Sequence, residues 1–369
     1  MIEAVKINNW RDALIRQDAT MQTAVQSLDR TGFQIAIVAD DVDKLVGTIT
    51  DGDIRRGLLR GLTLTSPITS ITQTRPFVVP PSVDLTAAVQ IMLRNGVRQL
   101  PIVNEYSCIV GLYALGNVAT LVKRNNLMVV MAGGKGTRLR PHTEHCPKPM
   151  LEVAGKPMLE HILERAIADG FGRFTFAVHY LGHMIEDYFG DGVRWNVDIT
   201  YAREEEPLGT GGALGLLEKF EDEPVLVTNG DVLTDIRYDD ILDFHNKHSA
   251  VATMAVRAHE WQNPFGVVKV NGMDIIGFEE KPLIRSHINA GIYVIHPHGL
   301  RHVKKDEYCD MPHLFERIRN DGERIIVYPM HEPWLDVGRP DDLATAQNIH
   351  RGLFNENREE NSYEDWPQP

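Results

Sequence analysis

No apolar run in this chain approaches the length of a membrane span, so the sequence reads as globular, with no membrane partner. The first residues, Glu3 and Asp12 among them, lack the basic and then apolar regions of a secretory signal, and the expected compartment is the cytoplasm. Cysteine is scarce. Cys108, Cys146 and Cys309 are odd in number and widely spaced, which gives neither a disulfide framework nor a zinc knuckle. Clustered cations are missing too: residues 1–124 hold 13 Lys and Arg against 11 Asp and Glu, and the remainder 25 against 40, so the net charge of −13 divides into +2 and −15. An acidic second part is a poor nucleic-acid surface, and a phosphate ligand there must be met by a local concentration of positive charge. What the chain does have is length and apolar content: 369 residues at 43% hydrophobic suggest two or three packed domains.

The local concentration begins just past Leu127. The run Leu127 to Ala132 is short, apolar and Val-containing, as a strand covered on both faces would be, and it ends in Gly133, Gly134, Lys135, Gly136, Thr137, Arg138, Leu139, Arg140 and Pro141. Pro147, Lys148, Pro149 and Met150 follow. Glycines let the backbone turn sharply and approach a ligand without a Cβ in the way, while Lys135, Arg138, Arg140 and Lys148 supply charge for phosphate. The spacing is not that of a P-loop, which needs Gly-Lys-Ser/Thr, nor of a dinucleotide fingerprint, whose third glycine is absent. It resembles the Gly-Gly-x-Gly-Thr-Arg-Leu-x-Pro and downstream Pro-Lys-Pro-Met of the sugar-1-phosphate nucleotidyltransferases. The resemblance implies an α/β domain with a Rossmann-like, mixed but mostly parallel sheet of the nucleotide-diphospho-sugar transferase type.

Before that domain stands an internal repeat. Val25 and Val89, Gly32 and Gly96, and Gly47 and Gly111 are each 64 positions apart, with a one-residue slip expected where Ile37 and Val38 meet Ile102 and Val103. In each copy a helical segment, Thr23–Thr31 or Thr86–Asn95, precedes two β-rich runs, Ile35–Ala39 with Leu45–Thr50 or Leu100–Val103 with Cys108–Tyr113. This order resembles a tandem pair of CBS modules, α+β units that bind adenine nucleotides. Their ribose ligands are carried over as Thr50 and Asp53, with Arg55 within reach of phosphate, so a purine nucleotide is the expected regulatory partner. The second copy has Ala114 and Asn117 at those places. The other reading is a spacer or dimerisation module in which Asp53 caps a helix. Homo-oligomers are expected to form through these modules.

The expected boundaries are 1–63 and 64–124 for the two CBS copies, 125–352 for the catalytic domain, and 353–369 for an acidic, disordered tail. Lys123 to Asn126 reads as the linker. Within the catalytic domain, Met158–Asp169 and Gly182–Phe189 read as helices and Phe174–Val178 and Val197–Tyr201 as strands, in the order of an open parallel sheet. Glu206, Pro207, Leu208, Gly209, Thr210 and Gly211 resemble the base-binding part of guanylyltransferases, although by themselves they read as an acidic loop before a helix. Pro224 to Asp231 is an apolar strand ending in Asn229, Gly230 and Asp231, and ligands collect at such strand ends in α/β sheets.

By the same resemblance, Asp231 and Asp336, the latter in Trp334-Leu335-Asp336-Val337-Gly338, hold Mg²⁺. Arg339 replaces the usual threonine that follows. Ala132, Gly133, Gly134, Gly136, Thr137, Glu206, Gly211 and Asn229 bind the nucleotide, and Gly266, Glu280, Lys281 and Asn289 bind the sugar phosphate. Arg138 and Lys148 complete the catalytic set. The implied partners are an NTP, with GTP expected, and a sugar 1-phosphate, joined with release of pyrophosphate. Relatives that pair CBS modules with this enzyme include those making GDP-activated amino sugars such as GDP-glucosamine. No hexapeptide repeat follows, so the acetyltransferase half of bifunctional relatives is not expected. Two other classes remain: a metal-dependent glycosyltransferase of similar fold, which needs no Arg138 and Lys148 grip, and a nucleotide sensor with little catalysis, which would have lost one acid.

Overall fold

The computed structural model describes residues 4–115, 124–217 and 223–353. Asn117 and the acidic tail beyond Leu353 lie outside them. The chain divides into two compact units, residues 1–120 and 121–369.

The first unit contains β1 (Ala4–Lys6), β2 (Leu14–Arg16), α1 (Met21–Thr31), β3 (Ile35–Ala39), β4 (Leu45–Thr50), α2 (Asp51–Leu59), α3 (Leu85–Asn95), β5 (Gln99–Val103) and β6 (Ile109–Leu115). The repeat governs it. Helices α1 and α3 occupy positions 64 apart, begin at the side chains of Thr20 and Asp84, and end at Gly32 and Gly96, both left-handed at φ 65° and 63°. There are two three-stranded sheets: β2-β3-β4 lies within the first copy, and in β1-β6-β5 the strand from the start of the chain joins two strands of the second copy. The ladders pair Val38 with Gly47 and Ile102 with Gly111, and each shifts register at the following residue. The 64-residue offset is therefore kept through the strands, the expected slip is absent, and both copies carry the same bulge at equivalent positions.

The second unit runs β7 (Arg124–Met131), β8 (Glu152–Val153), β9 (Lys156–Pro157), α4 (Met158–Ala168), β10 (Phe171–Val178), α5 (Gly182–Phe189), β11 (Asp198–Arg203), α6 (Gly209–Gly212), β12 (Val225–Asn229), β13 (Val232–Thr234), α7 (Tyr238–His248), β14 (Ala252–Gln262), β15 (Val267–Asn271), β16 (Asp274–Glu279), β17 (Leu283–Ile295), α8 (Pro297–Leu300), α9 (Met311–Asn320), β18 (Ile325–Met330), β19 (Trp334–Asp336) and α10 (Pro340–Leu353). Seven strands form one sheet in the order β11-β10-β7-β12-β17-β14-β18. Only β17 runs against its neighbours, so the sheet is mixed and mostly parallel. Alternate residues of β7 serve opposite faces: Met128 and Val130 join Leu159, Ile162 and Leu163 of α4, and Val129 joins Leu214, Leu300 and Leu314. Both faces are covered, which is why the strand reads as a continuous apolar run.

From Arg124 on, the segment read as a linker is already sheet. Arg124 pairs with Phe171 and reaches Asp243 of α7, and Asn126 is buried with its amide donating to the Pro224 carbonyl at 2.8 Å. A polar residue enters a strand without cost when its side chain finds such a partner. No helix among the described residues is long and apolar enough to cross a membrane.

Candidate active site

The site forms where β7 and β12 end side by side, with Met131 opposite Asn229. Gly230 donates to the Met131 carbonyl at 2.9 Å, and a Cβ there would lie 2.9 Å from the same oxygen, so glycine is what allows the two strand ends to meet. Asp231 follows at once. The turn that carries it packs on Pro149, and the loop residue Gly136, left-handed at φ 57°, packs on Lys148 and Thr143. The Thr143 hydroxyl donates to the Gly136 carbonyl at 2.8 Å, and the Tyr180 hydroxyl closes the same loop by donating to the Glu144 carbonyl at 2.9 Å. Gly134, Lys135, Thr137 and Arg138 are exposed along it.

Asp336 arrives from far along the chain. Strands β13 and β19 pair antiparallel, Val232 opposite Asp336, and the Val337 amide donates to the Asp231 carbonyl at 3.1 Å. A small separate core of Leu139, Val153, Met158, Leu233, Leu335, Val337, Leu343 and Ala346 lies beneath. It binds the residue after Arg138, the strand after Asp231 and both neighbours of Asp336 into one body. Strand β19 is also anchored from behind: the Trp334 indole donates to the Ala290 carbonyl at 2.8 Å, and Arg257 donates to the Trp334 carbonyl at 3.0 Å.

Between the acids stands Lys148. Its ammonium group contacts Asp231 and lies 3.9 Å from Asp336, with its side chain only 10% exposed. Partial burial, and then the charge of Asp231, push the Asp336 carboxyl above the usual carboxylate range, while Lys148 and Arg138 pull it back. Two like charges are thus held together and a cation lies against both. Nearby, Asn229 packs on Gly291, which is left-handed at φ 75°, and its buried Oδ1 has no hydrogen-bond partner. Asn289 accepts from the Gly291 amide at 3.0 Å and donates to the Tyr293 hydroxyl at 2.7 Å. Burial pushes that hydroxyl up to about 12.

Other expected residues have local structural work. The Ala132 amide donates to the Ala177 carbonyl at 2.8 Å, so it belongs to the sheet. Gly211 and Gly212 both donate to the Cys309 carbonyl at 2.8 Å, and a Cβ on Gly212 would lie 2.5 Å from the Glu307 carbonyl. The glycines of this second loop are required by the 307–311 backbone, and the Gly211 amide is already engaged. Glu206 is exposed. The carboxylate that faces the first loop is Glu204: Oε2 accepts from the Leu208 amide at 2.8 Å, and Oε1 lies 2.9 Å from where a Gly133 Cβ would be. Burial raises its carboxyl, opposed by the Leu208 amide and His179. Gly133 is the signal that finds Glu204, because a Cβ there would collide with it. Gly266, Glu280 and Lys281 are exposed together at the open end of the β15–β16 hairpin, where Val267 faces Glu279 and a Cβ on Gly266 would lie 2.9 Å from the Glu280 carboxylate, with Lys281 left-handed at φ 43°.

In the first unit, Asp53 accepts from the Thr50 amide at 2.9 Å and hydroxyl at 2.7 Å and pairs with Arg56 at 2.6 Å, while Arg55 pairs with Asp51 at 2.5 Å. Thr50 and Asp53 thus join across the first turn of α2.

The chain is similar to known proteins. Residues 10–60 and 68–123 each match the CBS domain. Over 230 residues the chain is 33% identical to the mannose-1-phosphate guanylyltransferase catalytic subunit beta of Danio rerio, covering 60% of this chain and 64% of that protein. It is 36% identical over 232 residues to the mannose-1-phosphate guanylyltransferase of Mycobacterium tuberculosis, covering 61% and 65%. The chain therefore spans just under two thirds of the length of these curated relatives. Among solved structures, a putative glucose-1-phosphate thymidylyltransferase from Bacillus anthracis shares the fold at a TM-score of 0.51 and 22% identity, covering 63% of this chain and 98% of its own. With residues 127–351, more than half of its length, matching the Nucleotidyl transferase family, the chain belongs to that family.

Proposed function

We propose that this chain transfers a guanylyl group from GTP to a sugar 1-phosphate, giving a GDP-sugar and pyrophosphate, and that the division of labour follows residues 1–63, 64–124 and 125–352. The observation that carries this reading is the cluster of Asp231, Lys148 and Asp336 beside the Gly133–Arg138 loop. Two carboxylates held together, one pushed up by burial and by the other, suit a hard divalent cation with oxygen ligands. The family generally uses a divalent metal, and we assign Mg²⁺ to Asp231 and Asp336. When bound, it supplies positive charge at the α-phosphate and at the departing pyrophosphate.

The rest falls to the protein. A sugar-phosphate oxygen forms a bond to the α-phosphorus of GTP, and the bond from that phosphorus to the pyrophosphate oxygen breaks. The attacking oxygen is already anionic, so no base has to remove a proton; the task is to align two anions and neutralise the charge that develops. Arg138 and the backbone amides of Gly134 to Thr137 hold the pyrophosphate. Lys148 and Lys281 draw the sugar phosphate into line. Guanine is supported by the names of the relatives and by the carboxylate of Glu204 beside Gly133, because guanine presents the N1–H and N2–H donors that a carboxylate accepts.

The test is pyrophosphate release from GTP, ATP, UTP and CTP against mannose 1-phosphate, glucosamine 1-phosphate and glucose 1-phosphate. GTP gives the highest specificity constant if the reading is right. A much higher value with UTP or CTP overturns the base, and no release with any pair overturns the reaction.

A further inference from the structure

Among the described residues, exposed large apolar side chains concentrate on the arm that β14, β15, β16 and β17 extend beyond the main sheet. Ten of the 22 large hydrophobic residues found exposed among the described residues fall within positions 261–284. Phe265 and Phe278 are 74% and 76% exposed. In the β15–β16 ladder, Val268 lies opposite Phe278 and Val270 opposite Ile275, which places these four side chains on one face of the hairpin, and all four are exposed. The other face carries the Lys269 and Glu279 ion pair at 2.8 Å. The hairpin is a sheet of two strands only, with nothing paired to either outer edge among the described residues.

Three physical points converge on this arm. A two-stranded sheet is marginal in water unless a third strand or a packed face supports it. Unpaired edges invite pairing with another chain. From the apolar areas of its aromatic and aliphatic side chains, the arm exposes on the order of 1,000 Å² of apolar surface, above the ~300–600 Å² of the largest patch on an ordinary monomer and comparable with the ~800 Å² that each partner gives to a stable interface.

We infer that the arm is a self-association surface whose occupant is the same arm of a second copy of this chain. Charge selects that partner. Residues 260–285 hold three cations, Lys269, Lys281 and Arg285, against four anions, Glu260, Asp274, Glu279 and Glu280, whereas residues 125–369 as a whole carry −15. The arm is thus a nearly neutral segment of a strongly acidic unit, and the place where two copies approach with least repulsion. Two of its three cations are already matched within the arm, Lys269 with Glu279 at 2.8 Å and Arg285 with Glu260 at 2.7 Å, which lowers the cost of bringing these charges to the rim of a two-fold pairing.

Sedimentation equilibrium on the full chain, Val270→Lys and Ile276→Lys tests this; neither side chain belongs to the candidate active site, and both are more than half exposed, so a lysine fits without unfolding the hairpin. The wild-type chain sediments at a multiple of its monomer mass, and each variant associates about tenfold or more weakly, at half the wild-type mass where the arm is the contact that joins the copies. Amide exchange over 261–284 in the wild type, measured at high and at low protein concentration, speeds up on dilution by about tenfold or more, because protection comes from the partner. A monomeric wild type, variants that associate as tightly as the wild type, or protection independent of concentration would each overturn the inference.

Discussion

Replacing Lys148 by Met takes away the cation that lies against Asp231 and Asp336. At 3.9 Å and an effective dielectric of about 20, the gross attraction to Asp336 alone is about 4 kcal/mol. The carboxylate side chains are 25% and 50% exposed, so water recovers most of it, and the net loss is about 1–2 kcal/mol. In a unit of this size that lowers the midpoint of thermal unfolding by roughly 2–8 °C in EDTA. A divalent metal then reverses the order of response: with no ammonium competing, the bare acids bind it about tenfold more tightly, and Lys148→Met gains more stability from Mg²⁺ or Mn²⁺ than the wild type does. Scanning calorimetry of both proteins, in EDTA and across a metal titration, measures the two shifts. Equal stability in EDTA, or the same metal-dependent rise in both proteins, refutes the view that one pair of carboxylates serves lysine and metal in turn.

Asp231→Asn and Asp336→Asn each remove metal-binding charge at nearly constant volume and lower pyrophosphate release by about 100-fold or more, with the circular dichroism spectrum unchanged; rates within a few-fold of wild type at limiting Mg²⁺ would sink the metal assignment. Burial and Asp239 push the Asp169 carboxyl from 3.8 to about 6, although the Tyr238 amide donates to it. It therefore holds a proton in the folded chain that it loses in the unfolded one, a contribution present below about pH 4 and lost as pH rises through 6. Asp169→Asn accordingly matches the wild type at pH 4 and exceeds it by about 1–3 kcal/mol at pH 7 in urea titrations. His245, buried against Thr253 and lowered to about 4, acts in the opposite sense, costing stability as pH falls from 6.5 towards 4, so His245→Gln flattens that limb. Asp53→Ala removes the carboxylate that joins the first turn of α2 to Thr50 and costs about 1 kcal/mol whatever ligand is present; if the first unit senses a purine nucleotide, calorimetry with the full chain also shows AMP, ADP or ATP binding lost in this variant.

Where the chemistry is local, the sequence was readable. The apolar run into Gly133, the Asn-Gly-Asp strand end and the 64-residue repeat are short-range patterns, and the structure builds β7, β12 and the paired α1 and α3 from them. Helix Gly182–Phe189 has the bounds its periodicity predicts. What resisted reading depends on contacts between distant segments. Glu204 and Glu206 are indistinguishable as an acidic run until Gly133 and Leu208 close on one of them. The 209–212 glycines look like a ligand loop until Cys309 is found to take their amides. Nothing in the composition of β17 marks it as the antiparallel strand of the sheet, and within residues 261–284 the sequence singles out only Gly266, Glu280 and Lys281, not the exposed apolar side chains of the arm.

The ribbon of β13 and β19 ties Asp231 to a residue 105 positions later through only three facing pairs. During synthesis, a ribosome-bound chain could close most of the large sheet while its second acid is still unmade, holding the phosphate loop but not the metal pair. On the proposed function, a nucleoside triphosphate bound to such an intermediate would meet only one of the two acids. In the finished protein the same three-pair ribbon is a short span to melt, so activity should fade at denaturant concentrations that leave the seven-stranded sheet standing.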